Sequence, residues 1–229
     1  MRALRRPRWR TRERHERARG QGVVEFAIIL PAILILLLGV LEFGFAFDHH
    51  LTLEYATREG ARTGAALANG GNPPGCGAGQ SPDRSFVDPL IVAAVERVLT
   101  SPGSPVAVEQ VSRITIYRAD ASGNATGDAN AWDYAPGAGP SIGGTRLDFA
   151  PVTAGLGDTT GWRSCARDNT WDRRTTPWAA PDSIGVSITY TYQPVTALSS
   201  VMGFFGGGRG RSAIEMRDRS VMALNPDDR

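Results

Sequence analysis

The chain has 229 residues and a formal net charge of +2, enough for one domain with an extension or for two small domains. The chain contains no lysine, which excludes lysine Schiff-base chemistry and a phosphate-loop lysine. The only histidines are His15, His49 and His50, so nothing beyond residue 50 can build a histidine-based nucleophilic triad or a zinc site that uses histidine.

The small net charge hides an asymmetry. Residues 1–19 carry nine arginines against Glu13 and Glu16, a net +7, which leaves −5 for the rest of the chain. This leader contains Pro7, has no apolar periodicity and reads as disordered. Gly20–Phe47 follows as GQGVVEFAIILPAILILLLGVLEFGFAF, uncharged from Phe26 to Leu41, with Glu25 and Glu42 near its ends. A helix over Gly22–Phe47 is about 39 Å long. That exceeds a hydrocarbon core of about 30 Å. The run lacks the polar face of a soluble helix, so residues 21–47 are expected to span a membrane as a helix. Basic residues before an apolar span stay cytoplasmic, which places the C-terminal part on the other side. A nucleic-acid-binding arm is the competing reading of the arginines; the adjacent span already accounts for them, and no nucleic-acid partner is expected. The span is too long for a cleaved secretory signal, and the bulky Phe45-Ala46-Phe47-Asp48 offers no small-residue cleavage site after it.

Gly20-Gln21-Gly22-Val23-Val24-Glu25-Phe26, placed between a basic leader and an apolar helix, resembles a type IV prepilin processing site of the tight-adherence (Flp) kind. From Gly20 to about Ala66, with GVLEFG and TREGARTGA, the chain is similar to TadE-like minor pilins (pseudopilins). The resemblance is looser over VSITYTYQPVTAL and SAIEMRDRSVMAL, and the tryptophan-bearing stretch between residues 155 and 181 departs from it. It implies cleavage after Gly20 by a prepilin peptidase, removing residues 1–20 and leaving Gln21 as the new N-terminus. It also implies that Glu25, followed by Phe26, pairs with the N-terminal amine of a neighbouring subunit and sets axial register. Read physically, Glu25 lies in the first turn of the span, where the helix dipole favours a negative group; a simple capping role is the alternative. Glu42 reads as a partly solvated helix-end residue. Pro31 removes one backbone hydrogen bond and is expected to kink the helix.

Residues 48–70 continue the helix beyond the lipid. Leu51, Tyr55, Thr57, Ala61, Ala65 and Ala68 recur at threes and fours, Glu54 and Arg58 form an i,i+4 pair, and Asn69-Gly70-Gly71 supplies the stop. The small residues Gly60, Ala61, Gly64, Ala65 and Ala66 suit close approach, by the chain's own sheet or by another subunit. Residues 71–229 are expected to form an ectodomain. A Gly/Pro loop over 72–82 carries Cys76. A second helix runs from Asp83 or Asp88, the latter with Pro89 in the first position, to Leu99.

Val106–Ala119 reads as a strand from the alternation of Ile114 and Ile116 with Arg113 and Thr115, Asp120–Asp128 as a turn, and Thr145–Phe149 as a short return strand. The polar stretch 155–181 holds Trp162, Cys165, Trp171 and Trp178 and is expected to be a long loop. Its tryptophans either pack on a Cys76–Cys165 disulfide or form an adhesive, partner-binding surface. Two free buried thiols are the alternative to that bridge. Ile184–Tyr192 is the clearest strand. Leu198–Phe205 is a short helix or a membrane-adjacent loop, and Ala213–Leu224 is the last strand.

Neither Gly206-Gly207-Gly208-Arg209-Gly210 nor the spacing of Asp158, Asp168 and Asp172 matches a phosphate loop or a calcium loop, so no cofactor or metal is expected. The expected architecture is α+β: a long N-terminal transmembrane helix continuing into a pilin-like ectodomain with a second helix and a 3–4-stranded antiparallel sheet. The expected role is non-enzymatic. Its partners would be other pilin subunits, pilus assembly membrane proteins, a prepilin peptidase and membrane lipid. A single-pass anchored binding protein that keeps its leader is the alternative.

Overall fold

The computed structural model describes residues 12–68, 84–152, 161–170, 180–196 and 213–225, with side chains from residue 20 in the first stretch and from 87 in the second, and without that of Cys165. Helix α1 runs Arg12–Leu67 without interruption through Pro31. It begins inside the leader expected to be disordered, where seven of the eight residues from 12 to 19 are Arg, Glu or Ala, all strong helix formers, and His15 is the exception. It ends at Ala68, whose φ of 46° closes the last turn shortly before the Asn-Gly-Gly stop. Helix α2 spans Arg84–Leu99, the earlier of the two expected starts, so Pro89 falls inside it.

Strands β1 (Val111–Ala119), β2 (Ala125–Tyr134), β5 (Phe149–Pro151), β6 (Ser183–Tyr192) and β7 (Ile214–Ala223) form one sheet in the order β5-β2-β1-β6-β7, while β3 (Ser141–Ile142) and β4 (Thr145–Arg146) form a separate small ribbon. The sheet is antiparallel throughout and has five strands, against the three or four expected. The additional strand is β2, which begins inside the stretch expected to be a turn. Its sequence, ATGDANAWDY, buries only Trp132, so it carries no apolar alternation. Pairing with β1 imposes its extended form: Arg113 faces Asp133 and Ile114 faces Trp132. The turn itself is shorter than expected, Asp120–Asn124, where the Asp120 carboxylate accepts the N–H groups of Ser122 and Asn124 at 2.8 Å each.

The chain forms two compact units, Met1–Phe45 with Pro194–Arg211, and Ala46–Gln193 with Ser212–Arg229. The core belongs to the second. Leu53, Ala56, Thr57, Ala61, Ala65 and Ala68 make the buried stripe of α1, at helical spacing, whereas Leu51 and Tyr55 are exposed. Against this stripe pack Ile91 and Val95 of α2 and Ile184, Val186, Ile188, Tyr190 and Tyr192 on one face of β6. Gly60 and Gly64 sit where a Cβ would meet Val95 Cγ2 at 2.6 Å and Ile184 Cδ1 at 2.5 Å. The small residues therefore admit this chain's own helix and sheet.

Candidate membrane anchor and assembly site

From Gly20 to Leu37 every residue of α1 is exposed. Its most apolar window has a mean hydropathy of 2.8 and buries none of its residues against the rest of the molecule. Soluble proteins do not leave a stripe of this size to water, so this helix is a candidate membrane anchor. Among the described residues nothing lies within 4 Å of a Cβ built on Gly20 or Gly22, and the Gly20–Gln21 bond lies within α1. Gln21 Nε2 donates to Glu25 Oε1 at 3.0 Å, one turn apart on the helix. Phe26, next to it, is exposed.

At the other end of the apolar run Glu42 is more than a solvated terminus. Its carboxylate accepts the backbone N–H of Val195 at 3.0 Å, that of Thr196 at 2.8 Å and the Thr196 hydroxyl at 2.5 Å. These contacts lie wholly within the first unit. Sequence reasoning missed this role because the partners lie 153 and 154 positions away.

In the second unit the sole described tryptophan of the 155–181 stretch is not a surface residue. Trp162 is 3% exposed and belongs to the core, which removes it from the expected partner surface. The fully buried Arg167 guanidinium lies 4.6 Å over its ring and donates from Nη2 to Asp88 Oδ1 at 2.5 Å. Asn130 Nδ2 bridges Asp88 Oδ2 at 2.6 Å and the Trp162 carbonyl at 2.8 Å. The cluster joins α2, β2 and the short 3-10 turn at Ser164–Ala166. No sequence signal points to it, since Asp88 and Arg167 are 79 positions apart. Cys76, Trp171, Trp178 and the Cys165 side chain lie outside the described residues, and so does the disulfide question.

His49, immediately past the apolar run, is buried on the stripe of α1. Tyr190 donates its single hydroxyl proton to Gln110 Oε1 at 2.6 Å, so at 2.8 Å it accepts from His49 Nδ1–H, which fixes the neutral tautomer. Burial pushes the Tyr190 hydroxyl up to about 12, so it stays a donor at any physiological pH.

The described residues thus combine an unburied apolar N-terminal helix, a candidate membrane anchor with a glutamate near each end, and a unit of mixed α+β structure with an antiparallel sheet. The family model described as TadE-like protein matches residues 20–62, so the chain is similar to TadE-like proteins over the candidate anchor and the first turns beyond it. No curated protein and no solved structure gives a significant match.

Proposed function

We propose that the chain is a minor pilin-like subunit, a pseudopilin, that takes part in building a tight-adherence pilus or a related secretion apparatus. The observation that carries this reading is the TadE-like segment itself: a helix whose most apolar window is unburied, preceded by Gly20 and bearing Glu25 in its first apolar turn. In this reading a prepilin peptidase cuts after Gly20 on the cytoplasmic side and exposes the amine of Gln21. The helix then leaves the bilayer sideways and joins the helices of neighbouring subunits. Glu25, expensive to hold unpaired at the membrane edge, accepts a neighbour's N-terminal amine and sets the step between subunits. The role is structural, and the only chemistry is done to the chain.

A second reading has one observation in its favour. The Gly20–Gln21 bond lies inside a continuous helix, a backbone form that peptidases must first unwind. A single-pass anchored binding protein would keep its leader intact. Mass spectrometry of the N-terminal peptide from the native membrane separates the two: Gln21 as first residue is expected for the subunit, and Met1 would reject it. Gly20→Leu should then leave the leader attached and abolish co-purification with a filament.

A further inference from the structure

Glu42 presents a problem that the first unit solves in an unusual way. It is the one charged residue between Phe26 and Phe47. Seventeen residues separate it from Glu25, about 26 Å along a helix. The hydrocarbon core is about 30 Å thick. With Glu25 at the inner boundary, Glu42 therefore lies just short of the outer one, where a bare carboxylate is costly. Bare backbone N–H groups are equally unwelcome there. Val195 and Thr196 supply two such N–H groups and a hydroxyl, all directed at Glu42. Each side satisfies groups that the other could not expose to lipid. Meanwhile the Val195 side chain is 61% exposed, beside a helix surface on which Leu41, Phe43 and Phe45 are also exposed. From Pro194 to Gly208 the sequence carries no charge.

We propose that residues 194–196, the start of the connection from β6 to β7, are a second membrane contact: Glu42 clasps their backbone at the outer-leaflet boundary, and the Val195 side chain rests in lipid. The partner is the acyl-chain and headgroup border of the bilayer, not another protein. Glu42 acts here as a positioning residue. The inference rests on the reading of α1 as membrane-spanning, and the controls below separate the two.

The test uses the full chain in vesicles with and without lipids brominated on their acyl chains. An environment-sensitive fluorescent amino acid is placed, one site at a time, at positions 195, 37 and 122. Leu37 lies inside the apolar run, five positions before Glu42. Ser122 lies in the turn after β1, whose last residue, Ala119, pairs with Ser183 at the end of β6 remote from residue 194. The expected result is strong quenching at 37, clear quenching at 195 and none at 122. Glu42→Ala should bring position 195 down to the level of 122 while 37 stays quenched. Thr196→Val, which keeps the charge and removes one donor, should give an intermediate value. Quenching at 37 with none at 195 overturns the second contact and leaves the anchor standing. Quenching at 195 that ignores both substitutions overturns the clasp. No quenching at 37 brings down the anchor and this proposal together.

Discussion

Arg167 shows what one buried charge can organise. Its guanidinium is fully enclosed, ion-paired with Asp88 and stacked on Trp162, yet its Nε and Nη1, like Ser164 Oγ, find no hydrogen-bond partner among the described residues. Orphaned donors make this an expensive arrangement, and removing the cation leaves Asp88 facing a void. Arg167→Ala is expected to cost about 3–5 kcal/mol in urea unfolding. Arg167→Lys should recover little of it, because an ammonium cannot both lie flat on an indole and meet a carboxylate. His49 works through pH. Burial lowers its pKa below the usual 6.5, with Asp48 pulling the other way. The folded chain therefore binds that proton less readily than the unfolded chain, and stability is lost as pH falls below about 6.5. Glu96 opposes this. Burial raises its pKa, so its contribution is present in acid and is lost as pH climbs through the raised value. The difference between wild type and His49→Gln isolates the histidine: the wild type should lose more melting temperature between pH 7 and pH 5.5 than the variant.

At the scale of elements, α1 changes character near His49. From Phe26 to Leu41 the helix is apolar all round and largely exposed; after His49 one stripe is buried and the other face carries Glu54, Arg58, Glu59 and Arg62. The expected Glu54–Arg58 pair is present, joined by Arg62 and Arg97 on Glu59. Being exposed, these pairs contribute little. Close packing matters more. Any side chain at Gly64 starts 2.5 Å from Ile184 Cδ1 and 3.0 Å from Ile91 Cδ1, so Gly64→Leu should cost about 2–3 kcal/mol despite its better helix propensity. In the sheet, the Tyr117 ring lies across Gly185, where a Cβ would come within 2.2 Å of its Cζ. Gly185→Ala should expel the ring and cost about 1–3 kcal/mol. If that collision is the cause, the same change in a Tyr117→Ala background should be nearly neutral, a coupling that a double-mutant cycle measures directly.

For the whole molecule, the division into two units makes a separable prediction. Among the described residues every fully buried member of the core cluster lies between Leu53 and Leu224, and of the apolar run only Ala46 packs partly buried against it. A chain lacking residues 1–45 should stay in solution, keep its near-ultraviolet circular dichroism and unfold cooperatively. The full chain should need detergent or lipid. Loss of cooperative unfolding in the shortened chain would show that the core depends on the anchor. The TadE-like match crosses this division, because residues 20–62 include both the unburied run and the first part of the buried stripe.

Much of this was written in the sequence. The anchor, its flanking glutamates, the continuation of its helix, α2 and the alternation of β6 are all local patterns, legible because a period of hydrophobicity needs only neighbouring residues. Tertiary structure alone decided the rest. β2 has no pattern of its own and is a strand because β1 offers it hydrogen bonds. Asp88 meets Arg167, and Glu42 meets Thr196, across separations that no spacing rule reaches. For Trp162 the sequence left packing and a partner-binding surface both open, and the side chain is core, because burial depends on what folds over it, and that is set by the whole chain at once.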